Sequence, residues 1–144
     1  MVIGPQRAEF QELSVFSQVG KRVDILVINP EALDDATGLM LVLHGWGNNR
    51  FQYRDMMEDF SKRYNVVCVS PEFRDSGLDA SPNGTGIKQP YDFSHLQVID
   101  ALSSLQTVRL RSPKLNDEWT FIWGGSQGGH IGVLATEFAP HTFA

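Results

Sequence analysis

Residues 119–129 read WTFIWGGSQGG, an aromatic and β-branched run that passes directly into a turn with four glycines. The run Trp119–Trp123 predicts a buried β-strand. After the turn, apolar residues recur at helical spacing, at Ile131, Leu134, Ala135 and Phe138. A strand that enters a helix through Gly124-x-Ser126-x-Gly128 predicts a sharp turn that holds the Ser126 hydroxyl above the carboxyl end of a sheet.

The glycines of this turn are expected to relieve steric crowding between the strand and the helix. Strand and helix come so close that side chains at positions 124 and 128 would collide, and the backbone at Ser126 is expected to be strained. The following helix directs its N–H groups and positive dipole end toward a developing oxyanion. These features favour Ser126 as a nucleophile. The alternative is a glycine-rich turn of a doubly wound fold, in which the serine only caps the helix.

A second glycine turn follows the apolar run Leu39–Leu43 and reads HGWG over residues 44–47. An acyl-transfer enzyme of this architecture needs a backbone N–H at that point, aimed at the substrate carbonyl oxygen. We therefore predict an oxyanion hole built from the backbone N–H groups of Trp46 and Gln127. The predicted structural supports of the site are His44, Gly45, Gly47, Gly124 and Gly128. For His44 we favour a hydrogen-bonded residue that braces the loop over a catalytic base.

The remaining elements complete the pattern of an α/β protein. Two strands, Glu9–Val19 and Arg22–Ile28, are predicted to form a hairpin at Gly20-Lys21. A helix over 50–64, begun by Asn49 with Gln52, precedes the fully apolar strand Val66–Ser70. A long loop over 71–91 separates that strand from a helix that runs from Ser94, paired with Gln97, to about Leu110. The predicted apolar face of this helix comprises Val98, Ala101, Leu102, Leu105 and Val108.

The order of these elements is a hairpin followed by β-α-β-α-β-α. It predicts one domain over residues 1–144, with a mostly parallel open sheet and helices on both faces.

Composition narrows the possible functions. Lys and Arg total 12 against 17 Asp and Glu, so the net charge of -5 gives no reason to expect a nucleic-acid partner. The single cysteine, Cys68, lies in an apolar run and is predicted to be a buried strand thiol. There is no leader-like or membrane-spanning stretch, which predicts a cytoplasmic chain with no membrane partner. The sequence has no spacing of Cys and His that is typical of zinc sites, so no metal is expected. It also has no glycine fingerprint for dinucleotides, so no cofactor is expected and a nucleotide-binding domain is disfavoured.

The motifs together resemble the α/β-hydrolase superfamily, in particular its esterases and prolyl-oligopeptidase-like peptidases. LMLVLHGWG resembles the third strand and oxyanion loop of that family, NVVCVSPEFR its fourth strand, and FIWGGSQGG its fifth strand and nucleophile turn. The resemblance implies that Ser126 is the nucleophile and that Trp46 and Gln127 supply the oxyanion N–H groups. It also implies an acyl-enzyme reaction on a small-molecule ester or a peptide.

One feature departs from the family. There the nucleophile is followed by an acid and then a histidine on later loops, whereas only 18 residues follow Ser126 here. Among them Glu137 is the sole acid and the histidines are His130 and His141; His130, one helical turn beyond Ser126, is poorly placed as a base. His95, in the preceding helix, is expected to be a surface residue.

We therefore expect an N-terminal portion of a serine hydrolase with an incomplete catalytic set. The open edge of its fifth strand would favour self-association or a completing chain. The alternative is a non-catalytic pseudo-hydrolase or a module that completes its sheet with a partner. The substrate would be selected in part by the 71–91 loop.

Overall fold

A computed structural model describes residues 10–16 as backbone, and residues 22–29, 33–74, 92 and 94–144 with their side chains. The elements along the chain are β1 Phe10–Phe16, β2 Arg22–Ile28, β3 Gly38–Leu43, α1 Arg54–Tyr64, β4 Val66–Pro71, α2 His95–Arg111, β5 Thr120–Gly124 and α3 Gln127–Phe138. The turn predicted at Gly20-Lys21 and most of the 71–91 loop lie outside the described residues.

The strands form one sheet in the order β1-β2-β4-β3-β5. β3 pairs in parallel with both β4 and β5, whereas β2 is antiparallel to β1 and to β4. The predicted hairpin partners therefore do pair. The predicted α/β class is confirmed, since a parallel unit of three strands carries the helices. The carboxyl ends of β3, β4 and β5 consequently lie at one edge of the sheet.

The sheet is covered on both faces. Alternate side chains of β3 and β4, such as Leu41 and Val69, pack under α2 and α3. Their neighbours, such as Val42 and Cys68, pack under α1. Strands buried on both sides read as continuous apolar runs, which is why these two were recognisable.

Cys68 is a buried thiol, as predicted. Its Sγ lies 3.5 Å from the backbone oxygen of Met57. Burial raises the pKa of the Cys68 thiol to about 12, because the thiolate would lose its hydration. The side chain therefore acts as a small apolar core residue.

The predicted start of the first helix is wrong. α1 begins at Arg54, and neither Asn49 nor Gln52 caps it. The Asn49 side chain instead accepts a hydrogen bond from the Phe51 N–H at 2.9 Å, and the Gln52 Oε1 accepts one from the Gly45 N–H at 2.7 Å. Both side chains satisfy backbone groups of the preceding loop, an alternative that competes with helix capping.

The predicted start of the second helix is close, but the predicted capping pair is wrong. Ser94 stands at the N-cap of α2 without making a side-chain cap bond. Instead, the Asp92 carboxylate accepts hydrogen bonds from the N–H groups of Leu96, at 2.7 Å, and Gln97, at 3.1 Å. The predicted apolar face is confirmed, with four of its residues buried and the fifth partly buried against the same core.

β5 is less buried than predicted. Within the described residues it pairs only with β3, and the side chain of Phe121 is 36% exposed. Trp119, just before the strand, and Phe138, at the end of α3, are each 49% exposed. The apolar run therefore forms an edge strand, and its outer side is open in the described part of the chain. None of the described helices is long and apolar enough to span a membrane.

Candidate active site

The turn between β5 and α3 is a tight junction that depends on two glycines. A Cβ on Gly124 would lie 2.8 Å from the Gly129 nitrogen. A Cβ on Gly128 would lie 2.6 Å from the Leu43 carbonyl carbon and 2.8 Å from the His44 oxygen. These neighbours are backbone atoms that cannot rotate away. The sequence prediction that side chains at 124 and 128 would collide is therefore confirmed.

Ser126 stands at the N-cap of α3 with φ 53° and ψ -119°. Among the described residues, only it and Asn65 have a positive φ without being glycine. Such geometry costs about 1–3 kcal/mol and persists only where the surrounding structure imposes it. Its side chain is exposed and makes no capping bond to α3. Ser126 thus occupies the N-cap position, but its side chain does not cap α3.

The loop over residues 44–47 lies against this turn. In the sheet, Leu43 is the register partner of Gly124, so both loops leave the same edge. A Cβ on Gly45 would lie 3.8 Å from the Gly125 oxygen. Gly47 has φ 70°, a left-handed conformation that explains a glycine there. The two segments predicted to supply oxyanion N–H groups are thus neighbours.

His44 is a completely buried brace within this loop. Its Nε2 accepts a hydrogen bond from the Phe73 N–H at 3.1 Å, and its Nδ1 lies 2.8 Å from the Gly45 oxygen. A carbonyl can only accept and an amide N–H can only donate, so the ring carries its proton on Nδ1. Both ring nitrogens are engaged within the loop, consistent with the bracing role predicted over that of catalytic base.

The His44 bond also sets the direction of the next amide. In a trans peptide the C=O and N–H point to opposite sides, and the described chain has no cis peptide. Because the Gly45 oxygen faces the His44 ring, the Trp46 N–H points away from it. Trp46 itself is 51% exposed. The ring therefore directs the predicted oxyanion donor.

Burial lowers the pKa of His44 below its usual value of 6.5. The largest cause is desolvation of the charged ring, which outweighs the bond to the Gly45 oxygen and the charge of Glu72, both of which raise the pKa. Protonation at Nε2 would also break the bond from Phe73. The loop is thus built around a neutral imidazole.

Gln127 opens α3, so its amide belongs to the first turn, whose N–H groups point out of the helix end. Its side chain turns inward and donates from Nε2 to the Oε1 of Gln97 at 2.7 Å. Gln97 is completely buried, and its own Nε2 has no partner in the described structure. This amide pair links the α3 start to α2.

Two groups near the site were not recognised from the sequence as parts of it. Gln52 was interpreted only as part of a helix start, yet its side chain bonds to Gly45. Arg74 forms a two-bond ion pair with Asp100, at 2.7 and 2.6 Å, and the Asp100 side chain is fully buried. This pair ties the segment after β4 to α2. The available signals were a basic residue after a predicted strand and an acid within the predicted helix that begins at Ser94.

No base contacts the serine within the described residues. His130, His141 and Glu137 are all exposed, and the Ser126 hydroxyl makes no hydrogen bond there. His95 is exposed as predicted, and its ring lies 5.3 Å from that of Phe138. The described His, Cys, Asp and Glu side chains form no group that could hold a metal ion.

Comparison with solved structures decides the family of folds. A carboxyl esterase from Bacillus coagulans superposes with a TM-score of 0.74 at 24% identity, over 93% of this chain. An α/β-hydrolase from Novosphingobium aromaticivorans superposes with a TM-score of 0.63 at 20% identity, over 95% of this chain. This chain has the α/β-hydrolase fold. An acylaminoacyl peptidase from Pyrococcus horikoshii, also similar, gives a TM-score of 0.67 at 19% identity over 88% of this chain.

The α/β-hydrolase relatives are longer than this chain, which spans 42% of the esterase, 42% of the Novosphingobium protein and 20% of the peptidase. No family model and no curated protein matches the sequence. Identities below 25% establish the α/β-hydrolase fold and leave the reaction to be argued from the site.

Gly128→Ala should lower the free energy of unfolding by about 3 kcal/mol, because the new methyl group overlaps backbone atoms of β3. Gly132→Ala, one turn further along α3, is the matched control, since its Cβ would make ordinary contacts with the side chains of Ile122, at 3.6 Å, and Leu43, at 3.9 Å. That change should be neutral or stabilising by up to about 1 kcal/mol through helix propensity. Denaturant unfolding measures both, and equal effects would contradict the close packing.

The His44 ring should titrate in the folded protein with a midpoint below 6.5, and its Nδ1–H tautomer should be visible by nitrogen NMR. Because the unfolded histidine binds a proton more readily, this group stabilises the fold fully above pH 6.5. Its contribution declines as pH falls below that value, by about 1.4 kcal/mol for each unit of pKa depression. A folded-state midpoint at or above 6.5 would disprove the neutral brace.

Proposed function

We propose that this chain carries the nucleophile of a serine hydrolase that cleaves an ester or peptide bond through an acyl-enzyme on Ser126. The observation that carries the proposal is the conformation of Ser126. Its backbone is strained, its side chain is exposed, and its turn lies beside the 44–47 loop. Strain of this kind persists where surrounding structure imposes it, and it concentrates at functional sites.

The chemistry follows from the arrangement. The Ser126 Oγ attacks the carbonyl carbon of the substrate and transfers its proton to a base, and the carbonyl oxygen becomes an oxyanion. The amides of Trp46 and Gln127 donate to that oxygen, and the N-terminal end of α3 adds its dipole. The leaving group departs with a proton, and water then hydrolyses the ester on Ser126. By resemblance to the family, the base would be a histidine paired with an acid, and both would lie on loops that follow later strands.

Two further facts support this assignment over a nucleotide-binding domain. Solved proteins of similar fold include an esterase and an acylaminoacyl peptidase, so the scaffold serves both ester and peptide cleavage. In addition, the turn does not follow the glycine spacing of a nucleotide-binding loop, and its Gly128 serves the close packing of α3 against β3.

A fluorophosphonate probe tests the proposal directly. In the intact chain, meaning this chain together with the base that the family resemblance implies, the probe should add covalently to Ser126, as located by mass spectrometry, because the base-activated hydroxyl displaces its fluoride. Ser126→Ala should abolish the labelling. Ser94→Ala is the matched control: Ser94 also lies at a helix start and has its Oγ 2.8 Å from the His95 Nδ1, so labelling should persist. An intact chain that stays unlabelled would count against the hydrolase.

A second candidate, a non-catalytic module that completes its sheet with a partner, is favoured by the exposed side of β5. An apolar cavity of about 300 Å³ lies beside this strand and is lined by Met40, Tyr64, Trp119 and Phe121. An edge strand next to apolar side chains is a template for pairing with another strand.

Phe121→Lys should therefore reduce self-association, because it places a charge at this edge. Sedimentation velocity over a range of concentrations measures the effect. Leu110→Lys is the control, since Leu110 is 72% exposed on α2 and does not line this cavity. Association that is insensitive to position 121 would argue against pairing at β5. Association together with an unlabelled serine would favour the module over the enzyme.

A further inference from the structure

Gln52 lies in the turn before α1, and its side chain reaches back to the 44–47 loop. Its Oε1 accepts a hydrogen bond of 2.7 Å from the Gly45 N–H. Gly45 is buried, so an amide left there without an acceptor would carry a desolvation cost. Gln52 itself is exposed, so core packing does not account for a long polar side chain held in this position.

The two polar groups of Gly45 are held by different side chains. The Gln52 amide fixes the N–H, and the His44 ring fixes the C=O. These bonds orient two consecutive peptide planes, on either side of Gly45. Because the Gly45 N–H is already engaged with Gln52, it does not serve the oxyanion. The donor that the proposed function assigns to this loop is the next amide, that of Trp46.

The residue after Gln52 contacts the other half of the site. The Tyr53 ring stacks edge-on against Trp123 of β5, with 4.6 Å between ring centroids. Its hydroxyl occupies the space beside Gly125, where an added Cβ would collide with it. One turn thus touches the 44–47 loop through Gln52 and the nucleophile turn through Tyr53.

We propose that Gln52 is a positioning residue that holds the Gly45 peptide so that the Trp46 N–H faces the oxyanion formed at Ser126. The inference rests on the proposed function. Gln52 touches neither the nucleophile nor the substrate, and it acts by fixing the peptide plane before Gly45, next to the plane that carries the Trp46 N–H. Hydrogen-bond donors that are fixed before reaction stabilise developing charge without paying for reorganisation.

Gln52→Met and Gln52→Glu form the decisive pair of variants, because both keep the reach of the side chain and only glutamate keeps an acceptor. Gln52→Met should label with the fluorophosphonate about tenfold more slowly, a smaller loss than the 100- to 1000-fold that follows removal of an oxyanion donor. Gln52→Glu should recover most of the rate, since its added charge is exposed and screened. Lys62→Met, the same loss of polarity at an exposed site on α1, should label at the original rate.

Hydrogen exchange at the Gly45 amide provides a readout that needs no reactivity. It should be about tenfold faster in Gln52→Met and remain slow in Gln52→Glu. If the intact chain is never labelled, the hydrolase proposal fails while the exchange data still decide whether Gln52 anchors the loop. If the chain is labelled and Gln52→Met reacts as fast as the original, or Gln52→Glu no faster than Gln52→Met, the positioning role is overturned.

Discussion

The first turn of α3 lies directly against the carboxyl end of β3, with Gly128 at the point of contact. Backbone atoms of Leu43 and His44 occupy the space that a side chain at 128 would need, the His44 oxygen within 2.8 Å of its Cβ position. This contact fixes the distance between the Ser126 turn and the 44–47 loop. It also explains how Ser126 keeps a strained backbone, since the turn cannot relax without separating α3 from β3.

The His44 side chain connects this contact to the carboxyl end of β4. Its ring receives a hydrogen bond from Phe73, just after β4, and is held against the carbonyl of Gly45, just after β3. The Phe73 ring packs on it at 4.4 Å between centroids. The carboxyl ends of β3 and β4 are therefore joined through one buried, neutral side chain, and the His44 backbone lies against Gly128 of α3, the helix that follows β5. A charged ring would cost desolvation and lose a bond, so the same burial that lowers its pKa holds the loop in place.

The sequence predicted the fold because the deciding patterns are local. β3 and β4 are apolar on both faces, and Gly124 and Gly128 bracket a serine at a strand-to-helix junction, so no distant information was needed. The start of α1 was mispredicted because Gln52 can bond either to its own helix or to Gly45. Only the folded loop brings that second partner into reach. The open edge of β5 was expected, but its side chains were predicted to be buried, because an apolar strand reads alike whether its outer neighbour is present or absent.

The strand that presents Ser126 is also the strand with an open side in the described structure. Parallel strands end at the same edge of a sheet, as Leu43 of β3 and Gly124 of β5 do here. A further strand added in parallel on the outer side of β5 would therefore end beside Ser126, and the loop leaving it would lie within reach of the hydroxyl. Pairing at β5 and delivery of a base to Ser126 are thus geometrically coupled. One added strand would cover the apolar edge at Phe121 and would also bring a loop to Ser126, whose side chain makes no capping bond in the described structure.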